Sequence, residues 1–305
     1  MNLYYNGTDI TGNVDMRSAK YTDRAGTTAD SIDLVFNDPE GQWSVWNPQP
    51  DKDTLRLWHE GVDSGVMSID RPMARKGVFE LGAVSIPQEA RGGAFQVWED
   101  IRFIELLKDF AERWGLKLKT YDLPDFCYQR VHHNGEPALS WLASRCMLES
   151  CILKVRDDAL VVVHVPAMEA KEATAEIALN DHPGWNYESM SHLLCAGVRV
   201  VNGKIIGEFQ TPDNCIGPIL VENRIPALSF GEAQRFAKGI ARAANARAHR
   251  LTIPIALSEQ YAAGQIVNVS AWGAMLNGRW FIAECVHSFI DEKTTLALRR
   301  PLEGY

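Results

Sequence analysis

Apolar and polar positions alternate through the stretch SIDLVFNDPEGQW, residues 31–43. Ile32, Leu34 and Phe36 fall on one side, and Ser31, Asp33 and Asn37 on the other. A period of two is that of a half-buried strand, with Val35 the one apolar residue on the polar side. Asp38-Pro39-Glu40-Gly41 ends it, because proline presets a turn dihedral and glycine accepts a positive φ. Residues 55–59, 65–70 and 78–84 repeat the pattern. Short strands at such regular spacing predict a small barrel or sandwich from Met1 to about Ser85.

The period changes near Trp98. Ile101, Ile104, Leu107, Ala111 and Trp114 recur at spacings of three and four ahead of Gly115, which predicts an amphipathic helix over 99–114. A second helix is predicted over 136–149, with Leu139, Leu142, Ala143 and Cys146 inward. Residues 152–156, 157–158 and 159–165 read as strand, turn and strand. Strands return over 195–201 and 205–211. Ser229 followed by Glu232 is a capping-box signature. It opens an alanine-rich helix with Ala233, Phe236, Ala237, Ile240, Ala241 and Ala244 inward, and Arg235, Lys238, Arg242 and Arg247 outward. Strands over 250–255, 265–272, 280–283 and 294–300 close the chain, with Asn277-Gly278 as a two-residue hairpin turn. The fold class is α+β, mostly β. Residues 1–95 form a β unit, 96–188 an α/β insertion, and 189–305 a second β unit with one inserted helix at about 230–247.

Composition narrows the function. Of 305 residues, 46% are hydrophobic and 23% charged, the balance of a globular chain rather than a disordered one. The N-terminus has no basic start or apolar core, and no window approaches the ~18 uninterrupted apolar residues of a membrane span. The chain therefore reads as soluble and made in the cytoplasm. Six scattered cysteines, Cys127, Cys146, Cys151, Cys195, Cys215 and Cys285, show neither zinc spacing nor a disulfide framework, so reduced and mostly buried thiols are expected. The net charge is -8, and bases exceed acids only over 221–305, 10 against 7. Tight phosphate binding needs clustered Lys and Arg, and that is missing.

No nucleophile elbow, zincin helix, phosphate loop or dinucleotide fingerprint occurs. His132-His133 with Glu136 offers metal-ligand types, but neighbours on an extended segment point to opposite faces. Glu99 with Asp100, or Asp33 with Asp38, are carboxylate pairs of the glycosidase kind. Glu99 and Asp100 read more simply as first-turn acids favoured by a helix dipole, and Asp157-Asp158 as turn chemistry. The Arg235, Lys238, Arg242 and Arg247 stripe has the charge to touch phosphate, but a solvated helix face explains it. Nine tryptophans could stack on sugars, though most sit beside apolar positions and read as packing. No catalytic, cofactor-binding or metal residue is assigned, and no cofactor is called for.

Four stretches in this order carry a family resemblance: residues 29–43; 53–57 with 64–70; 131–142 continuing to 160; and 231–245 with 263–265, 277–282, 286–289 and 296–300. The chain resembles the tail-hub proteins of the phage late control gene D type, the baseplate hubs of contractile tails and related injection systems. His133 stands where that family more often has glutamine. The resemblance implies two related β-barrel tube domains separated by an α/β insertion, with three copies closing a ring. Such a homotrimer joins a sixfold tail tube to a threefold central spike in the tail baseplate, having been made in the host cytoplasm. It implies as partners the spike, the tube or tube-initiator protein, and tape-measure and wedge proteins, with DNA passing through without specific binding. A lumen that DNA must cross should not hold phosphates, and an acidic chain suits that. The competing readings are a baseplate-associated glycosidase or peptidase acting on cell wall, and a carbohydrate-binding β module that uses surface tryptophans.

Overall fold

Extended segments dominate both ends of the chain. The computed structural model describes residues 1–305 apart from 27, 51, 213–216, 272 and 274. The N-terminal part holds β1 (Asn2–Tyr5), β2 (Thr8–Asp9), β3 (Asp15–Arg24), β4 (Ser31–Asp38), a short helix α1 (Gln42–Trp46), β5 (Thr54–His59), β6 (Val62–Asp63), β7 (Met67–Arg75) and β8 (Gly77–Val84). The middle holds β9 (Gly93–Arg102), α2 (Phe103–Arg113), β10 (Lys117–Tyr121), β11 (Cys127–Pro137), α3 (Ala138–Leu148), β12 (Cys151–Arg156), β13 (Ala159–His164) and α4 (Val165–Glu169). The last part holds β14 (Ala175–Ala178), β15 (Asn186–Ser189), β16 (Gly197–Asn202), β17 (Ile205–Gln210), β18 (Ile219–Glu222), α5 (Phe230–Asn245), β19 (His249–Ala256), β20 (Ile266–Ser270), β21 (Gly278–Ser288) and β22 (Lys293–Arg299).

The alternation of the opening stretch is realised in β4. Ile32, Leu34 and Phe36 are buried, while Asp33 is exposed. After the turn, α1 swings Trp43 back over this face, 4.5 Å from Phe36 and stacked on Phe79 at 5.6 Å between ring centroids. Asp38 is buried as well, because its carboxylate accepts the Gln42 N–H at 2.7 Å and so closes the turn. Among the described residues the Asp33 carboxylate pairs with Arg71, at 3.4 Å in solvent. Asp33→Ala is therefore expected to shift folding stability by no more than about 0.5 kcal/mol in a urea titration. A loss well above that would mean that Asp33 belongs to the core.

The mostly β chain carries few helices. One 14-stranded sheet follows the order β15-β19-β22-β21-β3-β4-β8-β7-β5-β1-β2, with β14, β20 and β6 off this path. Its two halves are joined where β21 pairs antiparallel with β3, Tyr21 opposite His287. The path is open at both ends, and no closed barrel is formed among the described residues. Each half has its own core, one around Ile32, Phe36, Trp43 and Phe79, the other around Ile253, Trp280, Ile282 and Leu298. Phe289, just past β21, packs into the N-terminal core.

The middle part builds a third core from α2, α3, the sheet β10-β13-β12 and the ribbon β9-β11. The inserted helix α5 joins this core. Ser229 accepts the Glu232 N–H at 3.2 Å, but the Glu232 carboxylate accepts from Leu228 N rather than from Ser229 N, so half of the anticipated box forms. On one side α5 lies so close to β17 that a Cβ on Gly207 would meet the Ala233 carbonyl carbon at 2.2 Å. On the other, a Cβ on Gly239 would meet the Leu148 carbonyl oxygen at 2.2 Å.

Three expectations are corrected. Residues 99–102 are the end of β9, not a first helical turn: pairing with β11 as far as Arg102 opposite Cys127 keeps the chain extended, and α2 begins at Phe103. Asn277-Gly278 is not a two-residue turn; β20 ends at Ser270, and Asn277 instead accepts the Ala271 N–H at 2.5 Å across a longer loop. Arg242 is buried rather than outward. The predicted strand end at Trp272 lies outside the described residues.

Candidate assembly interface

Two strands, β9 and β18, each leave more than one apolar residue in solvent. In the β9-β11 ribbon, Trp98 and Val131 face the third core, and the opposite face carries Phe95 at 86% exposure and Val97 at 52%. Phe95 lies over Gly135, whose φ is +86°; a Cβ there would meet the ring at 2.7 Å. Glu99 and Arg130 pair at 2.5 Å further along this face. The second patch is β18, at the edge of the sheet β17-β16-β18, with Ile219 at 55% and Val221 at 63% exposure. One side of β18 pairs with β16; the other offers unpaired backbone donors and acceptors among the described residues. An apolar edge strand of this kind is an aggregation hazard unless a neighbour completes it.

The residues singled out for chemistry do not converge. His133 is buried against Trp141, ring centroids 4.9 Å apart, and its Nε2 donates to the Glu136 carbonyl at 2.7 Å. His132 points to the other face, as its neighbouring position requires, and its carbonyl accepts from the Trp141 indole at 3.1 Å. Among the described residues no His, Cys, Asp and Glu side chains group as a metal site would. Asp33 and Asp38 lie on opposite faces of β4. Glu99 pairs with Arg130, and Asp100 sits exposed with φ +48° at the strand end. Asp157 holds the β12-β13 turn at φ +51° and Asp158 pairs with Lys117 at 2.5 Å, so both serve as turn residues.

The basic stripe of α5 splits. Arg235 forms a forked contact with the buried Glu149, at 2.9 and 3.2 Å, and lies 4.0 Å above the Phe126 ring. Lys238 lies over Phe209, and burial followed by Arg242 pulls its ammonium below the usual lysine range. Arg242 and Arg299 share Glu169, each at 2.5 Å. Burial pulls the Arg299 guanidinium down, and Glu169 opposes that. Only Arg247 stands in solvent as expected. Five tryptophans, Trp43, Trp98, Trp114, Trp141 and Trp280, are core residues, whereas Trp58 and Trp185 are exposed. Cys146, Cys151 and Cys285 are buried free thiols, Cys195 is buried, Cys127 is exposed, and Cys215 lies outside the described residues. Among the described residues no helix is long and apolar enough to cross a membrane.

Phe95, Val97, Ile219 and Val221 were not picked out from sequence. The signal was present as apolar residues on both phases of a strand, PILVE at 218–222 being the plainer case.

No family model matches the chain, and no curated protein matches it in sequence. Solved structures do share its fold. The 43 kDa tail protein of prophage MuSo2 from Shewanella oneidensis superposes with a TM-score of 0.76 at 12% identity, over 98% of each chain. A tail protein from Neisseria meningitidis MC58 gives 0.74 at 12% identity, over 98% of this chain and 96% of that one. An Escherichia coli component of the type VI secretion system, described as similar to the T4 tail proteins gp27 and gp5, gives 0.62 at 10% identity, over 98% of this chain and 76% of that one.

Proposed function

We propose that this chain is a non-enzymatic structural subunit of a phage tail or a related injection device, working as a baseplate hub. The observation that carries the reading is the end-to-end fold likeness to tail proteins, which leaves almost no part of either chain over. In this reading three copies form a ring between a sixfold tail tube and a threefold central spike. Residues 1–95 and 189–305 are the two tube-like units, and 96–188 is the insertion between them. The partners are the spike, the tube or tube-initiator protein, and tape-measure and wedge proteins, with DNA passing through the ring. The exposed β18 edge and the Phe95 face supply the apolar area and open backbone groups that ring contacts need. The acidic net charge of -8 suits a channel wall that must release DNA.

Native mass measurement tests this. The chain co-expressed with the spike protein of its own particle is expected to appear as three copies bound to the spike. A chain that stays monomeric both alone and with the spike would overturn the hub assignment.

A further inference from the structure

A cleft of about 650 Å³ opens where β3, the end of α3, α5, β19 and β22 meet. Its volume lies within the ~300–1,000 Å³ of ligand-sized sites. The walls are largely apolar, built by Met147, Ile152, Val165, Met190, Leu193 and Leu298. The charge around them is one-sided. Arg24, Arg242, Arg247, Arg250 and Arg299 line the cleft, and two carboxylates answer them. Glu169 takes Arg242 and Arg299, while Glu284 is shared between Arg24 at 3.0 Å and Arg250 at 4.0 Å. The Arg247 guanidinium is exposed and has no ion-pair partner among the described residues. This excess of positive charge stands out in a chain whose net charge is -8.

We propose that this cleft is the docking site for an acidic, apolar-anchored peptide segment of a partner protein. Arginine forks bind carboxylates in two-point contacts, which single out Asp and Glu side chains. The apolar walls provide seats for Leu- or Met-type anchors beside those acids. Single-stranded nucleic acid is the lesser fit, since its bases stack on aromatic rings and among the described residues no Phe, Tyr or Trp lines the cleft. The site goes beyond the ring assembly proposed above and stands on its own geometry, so failure of the trimer test leaves it untouched.

The test is selection from a random dodecapeptide display library on the full chain, followed by anisotropy titration of the best synthetic peptide. Enrichment of sequences that place Asp or Glu beside Leu, Ile or Met is expected. The peptide should lose about tenfold or more in affinity to the Arg247→Glu, Arg250→Glu double variant, both sites being exposed and their replacement leaving the far-ultraviolet circular dichroism unchanged. Ala246→Trp fills the cleft without altering charge and should weaken binding as well. Selection of sequences without acids, binding indifferent to all these variants, or a single-stranded oligonucleotide that binds with the same sensitivity while no peptide does, would each overturn the proposal.

Discussion

Replacing Glu169 with alanine is expected to lower folding stability by about 3–5 kcal/mol, the cost of leaving a buried charge without its partner. Glu169 closes α4 and is buried, with 5% of its side chain exposed. One carboxylate oxygen takes Arg242 of α5, and the other takes Arg299 of β22. The Leu302 N–H adds a third contact at 3.3 Å. Both guanidiniums are themselves shielded, with 5% and 12% of their side chains exposed, and Arg299 lies 4.0 Å over the Phe281 ring. Without the carboxylate, two like charges would face each other in the junction of α4, α5 and β22. Glu169→Gln keeps hydrogen-bonding atoms but not the charge, and should lose less. Replacing all three residues with apolar ones of similar volume should restore much of the stability, because a packed apolar cluster avoids the desolvation penalty. Denaturant titrations of the three variants check this. A Glu169→Ala loss below about 1 kcal/mol would mean that water reaches the arginines.

Local patterns carried the elements whose faces are set by their own residues. The alternation of Ile32, Leu34 and Phe36, the Asp157-Asp158 turn and the Ser229 helix start were all legible, because period, turn chemistry and a cap are properties of a few neighbours. Elements fixed by distant partners were not. In 99–102 the apolar spacing fitted a helix, but β11 holds the segment in a ladder whose partner begins 25 residues further on, Cys127 opposite Arg102. The β3-β21 pairing that unites the two halves links residues separated by 260 or more positions, such as Arg24 and Glu284.

The same limit explains the polar residues in the core. Arg242 occupies a helix position that a solvated stripe would also occupy, and partners from other elements, Glu169 with the Leu302 and Tyr305 carbonyls, turn it inward. Lys154 is comparable: it sits on β12 yet reaches Asp23 and, at 2.9 Å, Asp30 of the N-terminal part. A periodic pattern reads such residues as surface, because burial is affordable only once the opposite charge is in place. For the interface the difficulty is reversed. Phe95 and Val221 look like core residues by type, and only the folded ribbon and sheet edge reveal that nothing within the described chain covers them.

Acidification from pH 7.5 to pH 5 is expected to cost the wild-type chain about 2 kcal/mol more stability than His287→Gln, through one buried imidazole. His287 is 3% exposed, stacks on Tyr21 with ring centroids 5.6 Å apart, and shares a 2.9 Å hydrogen bond with Thr294 through Nδ1. Burial pulls its pKa from 6.5 down to about 4, with Asp23 pulling the other way. The folded state therefore resists the proton that the unfolded chain accepts near 6.5. Stability from the neutral ring is fully present above that value and is lost as pH falls toward 4. Other groups are shifted as well: burial lowers His164 and His249, while burial raises the Asp30 carboxyl beside Lys154 and Asp23. All of these remain in the glutamine variant, so subtracting its pH dependence isolates residue 287. Glutamine also preserves a hydrogen-bonding partner for Thr294 and does not titrate. Urea titrations of both proteins at the two pH values provide the comparison. Parallel losses in the two proteins would show that His287 accepts its proton without penalty, and that the β3-β21 seam is open to water.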